Sequence, residues 1–497
     1  MKRRDFLYYA GAGLALLTLR QAATAMEMDQ MAGMNHAGHG KSAKAAGKPA
    51  GAKALTLPTG AALPPLVRLK NQSKKPGQFV ATLRAAPTVV QIKPGVRTPV
   101  WTYNGSVPGP LIDVHEGDTV TIKLINQLQQ PTTIHWHGLP VPPEQDGNPG
   151  SEIAPGKSRT YRFTLPVGSA GTYWFHPHPH GHTAEQVFRG LAGLFIVRAK
   201  ADPLAHLPER HLVFSDLKLQ TNGRIAENSM DDWMNGREGQ FVLVNGHLQP
   251  TLQVLGRQRW RMWNACSARY LRLKLPEQSM IQVGTDGGLL GAPHPVTELL
   301  LAPGERAEVL VSGDGNSALM ALSYDRGKMG DMPPEHDIPL LHAHFRIGVP
   351  AELPQQLRTI EPLGTPTAQK ELVFSEDMDN MTDDPASMKF MINGKVFDMN
   401  RVDLTSKVGE VEAWTLRNDS DMDHPFHLHG TQFQVAERRY KGQTTPEKLL
   451  AWRDTVNVRP QESVIIHVAQ QQKGRRVYHC HIIEHEDLGM MGQLDVI

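Results

Sequence analysis

The 497-residue chain is poor in cysteine: it has only Cys266 and Cys480, too few for a disulfide framework or a four-cysteine zinc site. It also lacks a charge excess. Lys and Arg number 52 against 50 Asp and Glu, and the resulting +2 argues against nucleic acid or an anionic membrane as the main partner. After the first 25 residues no apolar run is long enough to cross a bilayer, so no membrane anchor is expected in the mature chain. Long helical periods are missing as well. What the chain does have is 23 His and 20 Met, which point towards metal, and 45 Gly with 37 Pro, which imply many turns. With 40% hydrophobic residues it can pack cores, and at about 150 residues per domain its length suggests about three of them.

The amino terminus reads as an address. Lys2, Arg3 and Arg4 precede an apolar run from Phe6 to Leu19 and a small-residue cleavage site at Ala23-Thr24-Ala25. Arg3-Arg4-Asp5-Phe6-Leu7 resembles a twin-arginine export signal, so residues 1–25 are assigned to export and the mature protein to the periplasm. Residues 26–75, rich in Ala, Gly, Lys and Pro, are expected to be a disordered leader. Its tract of Met26, Met28, Met31, Met34, His36 and His39 suits soft Cu(I), and serves equally well as a plain flexible leader.

The remaining chain repeats three times. Asn104-Gly105, Asn245-Gly246 and Asn393-Gly394 each close an apolar stretch. Each is followed by a run that opens on glycine and ends in asparagine, 117–126, 256–264 and 409–418. Pro155-Gly156, Pro303-Gly304 and Pro460-Gln461 come next, and the copies lie roughly 140 to 160 residues apart. Val120, Ile122 and Leu124 alternate with polar residues, as do Ala307, Val309 and Val311, which is the period of half-buried strands. The expected fold is all-β, with three consecutive Greek-key sandwich or barrel domains at 76–204, 205–350 and 366–497.

Four histidine clusters occupy the first and third copies; the second has none comparable. They are His135-Trp136-His137-Gly138, His176-Pro177-His178-Pro179-His180, His424-Pro425-Phe426-His427-Leu428-His429, and His479-Cys480-His481 with His485 and Met490. Alternate residues of a strand share a face, so each H-x-H pair aims two imidazoles at one point. In the last cluster His479 and His481 face one way and Cys480 the other, which lets the thiolate bind one metal while its neighbours bind others. Cys480, His424 and His485 with a weak axial Met490 form a blue-copper ligand set; zinc is the competing occupant, but it rarely takes methionine.

From residue 78 to the end, and on all four motifs, the sequence resembles the three-domain multicopper oxidases, in particular exported bacterial laccase-like enzymes and cuprous oxidases. The resemblance implies three cupredoxin-like domains and four copper ions. Type 1 copper would sit on Cys480, His424, His485 and Met490, and type 2 copper on His135 and His427. The type 3 pair would be held by His137, His176 and His481 and by His178, His429 and His479. It further implies reduction of O₂ to water, with Asp146 and Glu486 as catalytic carboxylates that either move protons or orient histidines. A copper-sequestering protein is the alternative, and would not need a complete ligand set. A two-domain copper nitrite reductase would need neither the paired histidines nor the third copy.

Several neighbouring residues are read as structural. His180 and His182 lie past the motif, Cys266 falls in the ligand-free copy, Trp136 and Trp174 are expected to pack, and Asp454 to support its surroundings. The reductant is Cu(I) or a phenol or aryl amine, and the chain is expected to act as a monomer. Met378, Met381, Met388, Met391 and Met399 interleave with acidic residues, Met391 and Met399 being read as core. Met422 stands between Asp421 and Asp423, two residues before His424, and with Met378 or Met381 it is the expected Cu(I) docking site.

Overall fold

The computed structural model describes residues 55–349 and 352–497. The export signal and the Met/His tract lie outside them. Among the described residues strands dominate, helices are single short turns, and no helix is long and apolar enough to cross a membrane.

The strands form six sheets, two in each third of the chain. Each pair of sheets closes over its own core. One core is built around Leu83, Ile122, Trp136 and Phe195, the second around Trp260, Val309 and Leu341, and the third around Trp414, Phe426, Ile466 and Cys480. The alternating runs become the sheet pairs in the same way each time. Gln78–Lys93 pairs parallel with Thr119–Asn126, Glu209–Leu217 with Gln258–Asn264, and Ala368–Asp377 with Val411–Asn418.

The repeat extends to single atoms. Asn104, Asn245 and Asn393 sit at φ 55°, 50° and 54°, in the left-handed region that asparagine tolerates. Their side-chain oxygens accept from the backbone N–H of Arg84, Val213 and Val373, and their amides donate to the carbonyls of Thr82, His211 and Glu371. The strand-ending Asn126, Asn264 and Asn418 are equally alike. Each donates to two carbonyls, one four or five residues on and one much farther along the chain, at Ile153, Leu301 and Val458 respectively. Each also accepts from the backbone N–H two residues on. Such asparagines satisfy buried backbone groups at the same corner of each domain.

The described part of the expected disordered leader, residues 55–75, is instead ordered as an extended strap. Leu63 N–H donates to Thr251 O at 2.8 Å, and Leu111 and the strap exchange bonds through Val67 O and Leu69 N–H at 2.7 and 2.8 Å. Leu66 is buried with Trp174 and Trp263, while Leu55 and Leu57 pack beside Val100 and Leu243. Spaced leucines supply enough apolar surface to offset the ordering cost that the bulk composition suggested could not be met.

Candidate metal centre

The strand Gly474–Cys480 runs antiparallel to His424–Leu428, with Cys480 opposite Phe426 and His479 opposite His427. Alternation then sorts the side chains. Cys480 enters the core of the third sandwich beside Phe426 and Met490, while His479 and His427 face the first domain. From that domain His135 and His176 exchange backbone hydrogen bonds at 2.8 and 3.2 Å, which brings the H-W-H and H-P-H motifs together.

The eight histidines expected to serve the trinuclear site converge in one buried nest. His135 Nε2 lies 3.2 Å from His427 Nε2, the pair assigned to type 2 copper. His479 Nε2 lies 3.2 Å from His178 Nε2 and 3.1 Å from His429 Nε2, the trio assigned to one type 3 copper. His137, His176 and His481 form the third group more loosely, with His481 ring centroids 4.9 and 5.9 Å from those of His137 and His176. His137 Nδ1, His176 Nε2 and both nitrogens of His481 are buried without a hydrogen-bond partner. Burial first, and neighbouring imidazoles second, push His137, His176, His178, His427, His429 and His481 well below the usual histidine range. Neutral imidazoles with bare nitrogens turned toward one another fit metal ions and little else.

The thiolate site is a separate cluster. Cys480 Sγ lies 3.4 Å from His424 Nδ1 and 4.0 Å from His485 Nδ1, and all three are buried. Met490 is buried in the same core and its carbonyl accepts from Cys480 N–H at 3.0 Å. The outer ring nitrogens are fixed: His424 Nε2 to Ser420 Oγ at 2.8 Å, and His485 Nε2 to Met234 O at 3.1 Å. Burial pushes the Cys480 thiol up and lowers His424 to about 3, so protein alone does not favour the thiolate and a bound cation would.

Asp146 and Glu486 each touch two of these histidines. Asp146 Oδ1 is 3.0 Å from His135 Nδ1 and Oδ2 is 3.2 Å from His429 Nδ1. Glu486 lies 3.4 Å from His178 Nε2 and 3.3 Å from His479 Nδ1. Burial raises both carboxyls above their ordinary values.

The family models decide the assignment. One described as multicopper oxidase matches residues 84–202, and another with the same description matches 367–497. The chain belongs to the multicopper oxidase family. It is 33% identical over 427 residues to the multicopper oxidase mco of Staphylococcus aureus, covering 84% of this chain and 88% of that protein. It is 28% identical to the laccase of Bacillus subtilis, covering 80% and 90%. A solved multicopper oxidase from Campylobacter jejuni, described as a metallo-oxidase, shares 45% identity with a TM-score of 0.86, covering 88% of this chain and 96% of that one. The fold is therefore cupredoxin-like, copper is the cofactor, and the protein is an oxidoreductase that passes electrons from a reducing substrate to O₂.

The second domain of this multicopper oxidase contributes more to the nest than its lack of a comparable histidine cluster suggests. Arg306, fully buried there, donates to Asp454 Oδ2 at 2.5 Å and Oδ1 at 2.8 Å. Asp454 in turn holds His137 Nε2 at 3.0 Å through Oδ1 and accepts from His427 Nδ1 at 2.8 Å through its carbonyl. Asp454 is thus a positioning residue for two expected ligands. Gly304, at φ 85°, lies so close to His481 that a Cβ would meet the ring at 3.0 Å. The Pro-Gly pair of the repeat was the only hint of that contact. His180 and His182 join no ligand group among the described residues.

The Met422 docking site is not formed. Met422 is fully buried, and its Sδ is 3.1 Å from Arg326 Nη1, a cation that excludes another cation. Asp423 is committed to Tyr324 and Asn457 at 2.7 and 2.6 Å. Met399, read as core, is 39% exposed.

Proposed function

We propose that the protein is a periplasmic oxidase of four coppers per chain, with Cu(I) as its reductant. Asp146 and Glu486 handle protons at the trinuclear site, and the domains are 76–204, 205–350 and 366–497. It acts as a monomer, since every expected ligand comes from one chain. Bound copper would take electrons singly at the thiolate site and hold them for O₂ at the histidine cluster. The chain's own contributions follow from geometry. Cys480 is bonded through one peptide unit to His479 and through another to His481, so a single strand end links the two sites covalently. Asp146 and Glu486 stand within reach of the ring nitrogens of His429 and His479, and burial raises both carboxyls, which favours their holding a proton.

The observation that carries the Cu(I) reading is the methionine surface around His485. Met234 holds the outer nitrogen of His485 through its carbonyl, and its side chain reaches the Met329–Gly330 turn. Met230, Met234, Met329 and Met378 are half-buried and pack against the core that contains Cys480. Glu376 has a buried oxygen, Oε2, without a partner. Thioethers suit Cu(I), and a carboxylate favours the ion once it is oxidised. The relative described as a metallo-oxidase points the same way. Steady-state O₂ consumption with Cu(I) and then with a phenol tests this: Cu(I) should give the higher kcat/KM, and a clear preference for phenol would make the protein a laccase. Copper uptake without O₂ consumption would support the sequestering alternative.

A further inference from the structure

We propose that His342 and His344 form a surface site for a divalent transition-metal ion, copper(II) most tightly, on the outer face of the second sandwich. The site is separate from the histidine nest and from the thiolate site, and it does not depend on which reductant the enzyme uses.

The strand Ile338–Arg346 lies inside a five-stranded sheet, between Thr251–Leu255 and Gly315–Leu322. Its second half alternates. Leu341, Ala343 and Phe345 are buried in the second core, so His342 and His344 turn to the opposite face. Two steps along a strand measure about 6.6 Å, which sets the two imidazoles side by side. Rings at that spacing can close on one ion with bonds of about 2.0–2.1 Å. The neighbours leave the space above them open. Ala318 stands opposite His342 and is too short to cover it, while Thr251 pairs with His342 on the other flank.

The state of the rings suits a metal. His344 Nδ1 meets Asn316 Oδ1 at 2.7 Å. An amide oxygen only accepts, so Nδ1 carries the proton and Nε2 is left bare. A ligand histidine is commonly held by this kind of outer hydrogen bond, which fixes both tautomer and orientation. Among the described residues the His342 ring has no hydrogen-bond partner. Neither residue is fully buried, and their free ring nitrogens are not enclosed.

The donors select the ion. Thr251, Gln253, Ala318 and Asn316, which pair with the two histidines, include no carboxylate. Calcium and magnesium, which take oxygen ligands, therefore find little here, whereas imidazole suits copper(II), nickel(II) and zinc(II), in which series copper(II) binds most tightly. Water would complete the shell. Arg346, next on the same face, is exposed and can carry its charge out into solvent.

Nickel(II) is the probe, because it takes imidazole, keeps its oxidation state and binds more weakly than copper, so resident copper stays in place. In equilibrium dialysis of the copper-loaded protein at neutral pH, His342→Gln with His344→Gln should bind one nickel fewer per chain than the parent. Other histidines, those of the leader included, bind alike in both proteins, so the difference isolates this pair. Asn316→Ala should weaken the same ion by roughly tenfold, the lower end of the scale for losing an orienting partner. Copper content and blue absorption should match the parent in every variant. Mass spectrometry after diethyl pyrocarbonate treatment gives a second readout: nickel should protect His342 and His344 from modification. Equal nickel stoichiometry in the parent and the double variant, or no protection of either histidine, would overturn the proposal.

Discussion

Cys480 occupies a position where a strand's alternation does two jobs. Its own side chain points into the third core toward His424 and His485, and its neighbours point into the histidine nest. Cys480→Ser should therefore remove the blue absorption and O₂ consumption together while circular dichroism stays β-type; a variant that stays blue and turns over would refute the ligand assignment. Asp146 and Glu486 pose a finer question, because each touches the ring nitrogens it would serve. With Asp146→Asn and Glu486→Gln, turnover should fall roughly 10- to 100-fold at unchanged copper content. Copper loss in step with activity would leave them as orienting residues only.

Short elements from the middle third of the chain touch both sites. The helix Met230–Asn235 and the Met329 turn are tied through Asn235, which donates to Met329 O at 3.1 Å and accepts from its N–H at 2.6 Å. Replacing Met234, Met329 and Met378 by Leu keeps volume and apolarity, so the fold should tolerate it. KM for Cu(I) should then rise by roughly tenfold, the effect of losing about 1.4 kcal/mol of binding, with phenol turnover unchanged. Equal losses for both substrates would indicate damage to the thiolate site. On the other side the strand Arg306–Ser312 opens with the arginine that pins Asp454. Arg306→Met leaves a buried carboxylate unpaired at a cost of about 3–5 kcal/mol. The thermal midpoint should drop and copper should leave the histidine nest before the thiolate site, as read by copper content against blue absorbance.

Across the whole molecule, acid should act in two stages. His137, His176, His178, His427, His429 and His481 are buried neutral, with folded values below the unfolded one near 6.5. As pH falls below about 6.5 the unfolded chain takes up protons that the fold refuses, so copper-free protein should lose stability from there downward. Asp113, Glu209 and Glu308 are held low, against burial, by a hydrogen bond from His211 to Glu209 and by Arg198, Arg259 and Arg261 at the junction of the first and second domains. Their contribution is complete above about pH 4 to 5 and disappears as pH falls through the carboxylate range. Melting curves of the copper-free protein against pH should show both declines, and copper should suppress the first by competing with protons. A flat profile between pH 7 and 5 would contradict the neutral nest.

The sequence by itself determined the β class, the threefold repeat and the paired-histidine clusters, because each depends on local spacing: period-two alternation, Asn-Gly and Pro-Gly turns, and H-x-H pairs. Asn104, Asn245 and Asn393 were visible as a repeat, and their identical hydrogen bonds follow from that same local geometry. What the tertiary structure decided are contacts between distant segments, where spacing carries no information. Arg306 reaches Asp454 across 148 residues and Arg326 caps Met422 across 96, and these two contacts separate a supported metal nest from a docking site that does not form. The leucines of residues 55–69 carried a signal too, but it became order only because the first and second domains offered their edges to the strap.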